Sequence, residues 1–283
     1  MPTAKIIDGN KIAKSILENV KNKIKNMKDK PGLALVMVGS NPASEVYVNF
    51  KEKDSKEAGF YCERHNLDEK TSEMDLLNLL TQLNNNPKIH GVLVQLPLPK
   101  QIDEKLITDS ILPHKDVDGF TTVNLGNLMS EKTILAPATA IACIHLIEST
   151  GTKIEGKNAV VVGRSNIVGK PVALMLLEKN ATVTVCHSKT KNLSEYTKKA
   201  DILVVAVGRQ NLIKKEMVKE GAVVIDVGIN RIGGKLVGDV DFENVKEVAG
   251  FITPVPGGVG PMTRAMLMQN TLKAMELSVK LNR

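Results

Sequence analysis

A tyrosine and a lysine four residues apart, Tyr47 and Lys51, form the first pair of side chains that suggests chemistry. They lie in the segment YVNFK, inside a predicted helix that ends at Gly59, and residues i and i+4 of a helix share one face. A nearby ammonium favours the phenolate form of tyrosine, and an apolar environment lowers the pKa of lysine. Either group can then transfer protons near neutral pH. The structural alternative is a half-buried tyrosine beside a lysine that reaches solvent.

Two polar residues in later segments support a chemical role for this pair. Gln95, in VQLPLP, stands at the carboxyl end of a predicted strand, where open α/β sheets bind ligands. Asp118, in PHKDVDGF, precedes Gly119 in a predicted turn. A carboxylate that faces a pocket can accept two hydrogen bonds from the N–H edge of a heterocycle. Asp-Gly is also an ordinary turn signal, so Asp118 has a structural alternative too.

The segment AVVVGRSNIVGKP, residues 159–171, has the strand–turn–helix order of a phosphate-binding turn. A helix amino terminus offers free N–H groups and a partial positive charge, and Gly163 lets the backbone approach a ligand. The G-x-G-x-x-G pattern is incomplete, because Ser165 and Val168 replace two of its glycines and Gly169 comes one residue late. Such glycine-rich turns are common, so this pattern is weak evidence by itself.

The next predicted strand indicates which nucleotide the turn would bind. An NAD site usually carries an Asp or Glu about 20 residues further on, which binds the ribose hydroxyls. Here ATVTVCHSKT ends in Ser188 and Lys189 instead, and Arg164 stands in the preceding turn. Hydroxyl and cationic groups suit a 2′-phosphate, so the sequence predicts NADP as the cofactor. The alternative is a surface arginine and an ordinary turn serine.

The predicted elements around these residues alternate between strand and helix. The first series consists of a helix at 11–27, a strand at 32–39, the helix ending at 59, the strand FYCERHNL, a helix at 72–84 and a strand at 91–99. The stretch ILPHKDVDGFTTVNLGNLMS is loop-like. The second series consists of a helix at 138–149, strands near 158–162, 181–186, 201–207 and 222–227, and a last helix at 263–281. This alternation predicts parallel sheets with crossover helices.

We therefore predict an α/β protein of two domains, because 283 residues exceed one ordinary domain. The first domain takes residues 1–120 together with a C-terminal helix at about 263–283. The second, at 140–262, is Rossmann-like with a parallel sheet. The placement of the last helix rests on pattern only.

Composition narrows the function classes. The net charge is +7, but the lysines are spread out, aromatic residues make up 3% and Trp is absent, so a nucleic-acid binder is not favoured. The three cysteines, Cys62, Cys143 and Cys186, are widely spaced, and with the five histidines they show no metal-ligand spacing. No apolar run approaches about 18 residues. We expect a cytoplasmic protein without a metal or a membrane segment.

Seven motifs occur in an order that resembles one family, the bifunctional methylenetetrahydrofolate dehydrogenase/methenyltetrahydrofolate cyclohydrolases. They are YVNFK, VQLPLP, PHKDVDGF, VVVGRSNIVGKP, TVCHSKT, DVGIN and ITPVPGGVGPMTRAML, and the similarity runs from about residue 5 to 280. The resemblance implies that the first domain binds folate, that the second binds NADP, and that the catalytic cleft lies between them. It also implies a homodimer that acts on tetrahydrofolate derivatives in one-carbon metabolism and purine biosynthesis.

The resemblance assigns roles to individual residues. It places the proton-handling amine at Lys51 with Tyr47 and Gln95 as partners, pterin recognition at Asp118, and a motif serine at Ser44. It places 2′-phosphate recognition at Arg164 and Ser188, and the lining of the cofactor and substrate sites at Gly163, Ser165, Ile167, Ile229 and the loop of Pro256, Gly257 and Gly258.

The expected chemistry has two steps. Hydride passes from 5,10-methylene-tetrahydrofolate to NADP⁺, and water then opens the methenyl cation to 10-formyl-tetrahydrofolate. A dehydrogenase without the second activity would lack Lys51, and a nucleotide sensor would need no Tyr–Lys–Gln set. One departure stands out: where the family commonly shows P-C-T-P-x-G, this chain has Ala138, Ala140 and Ala142 around Thr139. Because alanine is the best helix former, the helix there can start differently.

Overall fold

The computed structural model describes residues 3–281, which divide into two compact units. The six-strand unit contains the chain up to Ala13 together with Thr139–Thr263. The three-strand unit contains Lys14–Ala138 and the chain from Arg264 onward. This division differs from the predicted one at the amino terminus, because Lys5 and Ile6 pair with Phe251 and Ile252.

The elements of the described residues alternate along the chain. The strands are β1 (Lys5–Ile6), β2 (Gly32–Val38), β3 (Tyr61–Leu67), β4 (Gly91–Val94), β5 (Asn158–Val162), β6 (Thr182–Cys186), β7 (Ile202–Val205), β8 (Val223–Asp226), β9 (Asn230–Ile232), β10 (Lys235–Val237) and β11 (Phe251–Ile252). The helices are α1 (Gly9–Ile24), α2 (Pro42–Ala58), α3 (Glu73–Asn85), α4 (Glu104–Asp109), α5 (Thr122–Met129), α6 (Ala138–Glu148), α7 (Gly169–Glu178), α8 (Leu193–Thr197), α9 (Phe242–Val245) and α10 (Val259–Leu281).

The six-strand unit is built on a parallel sheet in the order β1-β11-β8-β7-β5-β6. Its central strands β5, β7 and β8 consist mainly of valine, isoleucine and leucine and are buried except for Asn158 at the start of β5, as a sheet covered on both faces requires. β5 lies between β6 and β7, so the chain order reverses there. In open α/β sheets ligands bind beyond the carboxyl ends of the strands at such a reversal.

The three-strand unit is built on a parallel sheet in the order β3-β2-β4. All seven residues of β2 are buried. Leu33, Leu35 and Met37 belong to one apolar cluster, with residues of α1, α2 and α10. Ala34, Val36 and Val38 belong to another, with residues of α3 and α4. The strand therefore alternates between two helical layers, as the two-residue period of a β-strand dictates.

Three predicted boundaries need correction. The loop-like stretch contains α5, which begins where the Thr121 hydroxyl accepts a hydrogen bond from the N–H of Asn124 at 3.2 Å. The strand predicted at 91–99 ends at Val94, since prolines at 97 and 99 have no N–H for a ladder. The last helix begins at Val259 rather than 263, with Pro261 in its first turn, where a missing N–H is tolerated. The substituted positions Ala138, Ala140 and Ala142 are buried in α6.

Candidate active site

Lys51 and Gln95 are joined by a hydrogen bond within the three-strand unit. Nζ of Lys51, on α2, donates to Oε1 of Gln95 at 3.0 Å. Gln95 directly follows β4, and its Nε2 donates to the carbonyl of Leu96 at 2.7 Å. This second bond fixes which end of the amide faces the lysine. Gln95 therefore presents an acceptor to the amine at the carboxyl edge of the sheet.

The start of α2 fixes the positions of Ser44 and Tyr47. The side chain of Asn41 accepts hydrogen bonds from the N–H groups of Ala43 at 3.0 Å and Ser44 at 3.1 Å, which caps the helix. Ser44 is buried in the first turn. Tyr47 is half-buried and lies one turn before Lys51 on the same side of the helix. The predicted pairing of Tyr47 and Lys51 on one helix face is therefore the observed arrangement.

Asp118 lies in a segment that extends the sheet beside β4. Val92 and Asp116 form a parallel bridge, so the segment carries Asp118 towards the edge at which Gln95 lies. Asp116 is buried, and its carboxylate accepts hydrogen bonds from the N–H of Gly119 at 2.9 Å and the N–H of Thr121 at 2.8 Å. Asp116 therefore shapes the turn that presents Asp118.

Asp116 is not among the site residues predicted from the sequence. The available signal was the pattern Asp-x-x-Gly in DVDG, in which an aspartate accepts from a backbone N–H a few residues on. Gly119 has φ 73°, and a Cβ on it would lie 2.4 Å from the carbonyl carbon of Ala136. Glycine is therefore required at that position.

Burial and mutual attraction act in opposite directions on the charges of Lys51 and Asp118. Burial lowers the pKa of Lys51, and the negative charge of Asp118 partly offsets this. Burial raises the pKa of Asp118. The positive charge of Lys51 partly offsets this rise, and the negative charge of Asp116 adds to it. The pKa values of the amine and the carboxyl are thus brought closer together than in water, which favours proton exchange at such a site.

A second unpredicted residue, Arg264, anchors α2 within the same unit. Its Nε lies 3.3 Å from Oδ2 of Asp54, one turn after Lys51, and its guanidinium carbon lies 4.6 Å above the ring of Phe50. Asp54 is buried, and burial raises its pKa while Arg264 lowers it. Arg264 on α10 thereby holds the helix that carries Tyr47 and Lys51.

The predicted nucleotide turn lies in the six-strand unit, at the reversal between β5 and β7. Gly163 follows β5 directly with φ 133°, and a Cβ on it would lie 2.3 Å from the carbonyl oxygen of Ala206, which follows β7. A Cβ on Gly169 would lie 2.3 Å from the carbonyl oxygen of Gly163. Both glycines are therefore required by close backbone packing rather than by flexibility.

The expectation of free N–H groups at the start of α7 is wrong for this structure. The Ser165 hydroxyl accepts hydrogen bonds from the N–H groups of Val168 at 3.1 Å and Gly169 at 3.4 Å. The carbonyl of Ser165 accepts from the N–H of Lys170 at 3.0 Å, and Pro171 has no N–H. The helix start is therefore closed by the serine that replaces the second glycine of the pattern.

Arg164 and Ser188 lie at neighbouring strand ends. Val162 of β5 pairs with Cys186 of β6. Arg164 follows Val162 by two residues, and Ser188 follows Cys186 by two residues. Both are exposed. The turn that carries Ser188 is shaped by the Thr190 hydroxyl, which accepts a hydrogen bond from the N–H of His187 at 2.9 Å. The residues from 187 to 192 include no carboxylate.

The remaining predicted residues also lie in the six-strand unit. Ile167 and Ile229 are exposed at 41% and 44%, which is uncommon for isoleucine and leaves both free to line a ligand. Pro256 is exposed and Gly257 has φ 104°, in the loop that precedes α10. The candidates thus form two sets, with Ser44, Tyr47, Lys51, Gln95 and Asp118 in the three-strand unit and the others in the six-strand unit.

Residues 3–281 contain neither a candidate metal cluster nor a candidate membrane-spanning helix. Among these residues, no group of three or more His, Cys, Asp or Glu side chains could hold a metal ion. Within the same range, no helix combines the length and the apolar character that crossing a membrane demands.

The comparisons with known proteins agree on one family. The model of the tetrahydrofolate dehydrogenase/cyclohydrolase catalytic domain matches residues 7–118, and that of the NAD(P)-binding domain of the same family matches residues 137–279. The bifunctional protein FolD of Moorella thermoacetica is 56% identical over 275 residues, covering 96% of this chain and 98% of that protein.

Solved structures give the same result. The bifunctional FolD methylenetetrahydrofolate dehydrogenase/cyclohydrolase of Campylobacter jejuni superposes with a TM-score of 0.94 at 47% identity, covering 97% of this chain and 99% of that one. The FolD of Trypanosoma brucei, solved with NADP cofactor and an inhibitor, gives a TM-score of 0.95 at 37% identity, covering 99% and 100%. The α/β fold and the resemblance drawn from seven motifs are confirmed: this chain belongs to the tetrahydrofolate dehydrogenase/cyclohydrolase family.

Proposed function

We propose that this chain carries out the two reactions of its family with the residues described above. It oxidises 5,10-methylene-tetrahydrofolate to 5,10-methenyl-tetrahydrofolate with NADP, and it hydrolyses the product to 10-formyl-tetrahydrofolate. The observation that carries the residue assignment is the hydrogen bond between Lys51 and Gln95, because it puts an amine of lowered pKa at the carboxyl edge of a sheet.

The six-strand unit fits a dinucleotide with a 2′-phosphate. Glycine at 163 lets the nucleotide turn pack against the backbone of Ala206 at the strand reversal, where open α/β sheets bind ligands. Arg164 and Ser188 lie exposed at adjoining strand ends, where a guanidinium and a hydroxyl would hold the phosphate. Ile167 and Ile229 would line the site. When bound, NADP⁺ accepts the hydride, and the protein's part is to orient the reactants and exclude water.

The three-strand unit supplies the groups for folate and for proton transfer. Asp118 would accept hydrogen bonds from the N–H edge of the pterin, with Asp116 holding its turn in place. Lys51 would move protons as water adds to the methenyl carbon and the ring opens, with Gln95 holding Nζ and Tyr47 beside it on α2. Ser44 belongs to the same proposed substrate set, and Pro256 and Gly257, which the resemblance also assigns to it, lie in the six-strand unit.

Three finer expectations accompany this proposal. We expect a homodimer, a cytoplasmic location and no affinity for nucleic acid. The support for the last point is the scarcity of aromatic residues together with a dispersed positive charge. Sedimentation analysis tests the dimer, and a salt titration of DNA binding tests the absence of a nucleic-acid partner.

The proposed function is tested by following methenyl-tetrahydrofolate by its absorbance. Methylene-tetrahydrofolate is supplied with NADP⁺ or with NAD⁺, and formation followed by decay of the absorbing product reports the two activities. We expect both phases with NADP⁺ and slower formation with NAD⁺. A protein that forms no methenyl-tetrahydrofolate with either cofactor would contradict the proposal.

A further inference from the structure

Two buried aspartates of the six-strand unit have no part in the roles assigned so far. Asp226 is the last residue of β8 and Asp239 lies between β10 and α9, with exposures of 3% and 0%. A carboxylate withdrawn from water is costly unless several donors surround it. The arrangement of those donors shows what the two residues do.

Asp239 collects the N–H groups of one loop. Its Oδ2 accepts from Val207 at 2.7 Å and Gly208 at 2.9 Å, and its Oδ1 accepts from Arg209 at 2.7 Å. Oδ1 also accepts from Nδ2 of Asn230 at 3.0 Å. Three consecutive backbone groups of the loop that leaves β7 are therefore fixed by one side chain from a distant part of the chain.

Asp226 in turn fixes Asp239. Its Oδ1 accepts from the N–H groups of Gly228 and Asp239, both at 3.0 Å, and its Oδ2 accepts from the N–H of Val240 at 2.9 Å. Its own N–H donates to the Thr253 hydroxyl at 2.8 Å. The backbone on both sides of the Asp239 side chain is thus held by a second buried carboxylate.

Glycines make room for both carboxylates. A Cβ on Gly228 would lie 2.1 Å from the carboxyl carbon of Asp239, and a Cβ on Gly238 would lie 1.9 Å from Oδ2 of Asp226. Each glycine is close in sequence to one aspartate and packs against the other. Gly228, in DVGIN, and Gly238, in GDV, are therefore required for the same reason, because each packs against the aspartate of the other segment.

The loop fixed by Asp239 touches the nucleotide turn. Ala206 immediately precedes Val207, and its carbonyl oxygen is the atom that a Cβ on Gly163 would meet at 2.3 Å. The network reaches a second proposed cofactor residue as well, because Gly228 and Asn230 are hydrogen-bonded to Asp226 and Asp239 and Ile229 lies between them. The loop at 207–209 and the segment at 228–230 follow the carboxyl ends of the neighbouring strands β7 and β8.

We propose that Asp239, held in place by Asp226, is a positioning residue for NADP binding. It fixes the loop Val207–Arg209 and the segment around Ile229 at the sheet edge where the nucleotide turn lies. It acts through backbone groups and is not assigned a contact with the cofactor. The inference rests on the proposed function, which puts NADP at this edge.

The test variant is Asp239→Asn. Each carboxylate oxygen accepts two N–H donors, so an amide nitrogen in either place would face two donors and break their bonds. The matched control is Asp201→Asn, at the amino-terminal end of β7, where the carboxylate accepts from the N–H of Asn158 at 2.9 Å and from Lys219 at 2.6 Å. The control lies at the opposite edge of the sheet.

Three measurements distinguish positioning from general stability. In the cofactor-free protein, hydrogen exchange at the amides of 207–209 should accelerate in Asp239→Asn and stay unchanged in Asp201→Asn. The Kd for NADP⁺ by calorimetry should rise about tenfold or more, equivalent to about 1.4 kcal/mol. Hydrolysis of methenyl-tetrahydrofolate, assayed without cofactor, should stay near the wild-type rate in both variants.

Two results would overturn the inference while leaving the proposed function intact. One is an unchanged NADP⁺ affinity in Asp239→Asn, and the other is an equal loss of cofactor affinity and of hydrolysis. A wild-type protein that does not bind NADP⁺ would overturn both. If Asp239→Asn does not fold, Asn230→Ala removes one of the four donors from the same carboxylate. A smaller rise in Kd with unchanged hydrolysis then supports the inference, and an unchanged Kd overturns it.

Discussion

Replacing Lys51 by methionine separates the chemistry of its amine from the packing of its side chain. Methionine keeps an unbranched chain of similar length and removes the Nζ that donates to Gln95 at 3.0 Å. The loss of one hydrogen bond costs about 1 kcal/mol of stability, and the amine is one that burial already disfavours in its charged form. We therefore expect the variant to fold.

The expected loss of activity is much larger than the loss of stability. A positioned acid or base contributes about 10² to 10⁴ in rate, so the cyclohydrolase kcat should fall by about that factor. In the wild-type protein, the base form of Lys51 should become available as pH rises through its lowered pKa, below the usual lysine range of about 10.4. Cyclohydrolase activity that depends on the uncharged amine should rise as pH increases through the lowered pKa of Lys51. This rise should be absent from Lys51→Met.

The assay follows the decay of methenyl-tetrahydrofolate absorbance against the uncatalysed background. Lys53→Met is the control, because Lys53 is exposed on the same helix and lies 3.8 Å from Glu57 in a surface pair. That control should hydrolyse the substrate at the wild-type rate. A folded Lys51→Met protein that did the same would refute the assignment of proton transfer to Lys51.

Three further predictions follow from the same geometry. Asp118→Ala should weaken folate binding by roughly 1–3 kcal/mol, because the pterin donors lose their acceptor, and unchanged affinity by calorimetry would exclude Asp118 as the pterin ligand. Arg164→Ala should raise the KM for NADP⁺ by about 10- to 100-fold and leave that for NAD⁺ nearly unchanged, whereas equal losses would mean that Arg164 serves the turn's structure. Burial raises the pKa of Asp226 from 3.8 to about 7, so the folded protein holds this proton more tightly than the unfolded chain and stability falls as pH rises from about 4 to about 7. Asp226→Asn should therefore show a smaller difference in Tm between pH 5 and pH 8 than the wild type, and equal differences would contradict this origin.

Elements with strong local signals were predictable from the sequence. The run NAVVV predicts the strand at 158–162, and it is β5. The helix predicted at 72–84 is α3, because Ser72 caps it and leucines recur at helical spacing. α5 was missed because Gly126 and two asparagines weaken its helical signal, and it is stabilised by burial of Asn124 and Leu128. β1 was missed because its two residues form a strand only by pairing with Phe251 and Ile252.

The sequence by itself determined the α/β class, the family, and the residue types at the ends of β5 and β6 that favour NADP. These features depend on residues that are close together in the sequence, so a short motif contains the information. Only the tertiary structure decided that Asp239 collects the N–H groups of Val207–Arg209 and that Arg264 pairs with Asp54 on α2. The physical reason is that a buried polar group must be hydrogen-bonded, and its partners here come from segments far apart in the sequence that only the fold brings together.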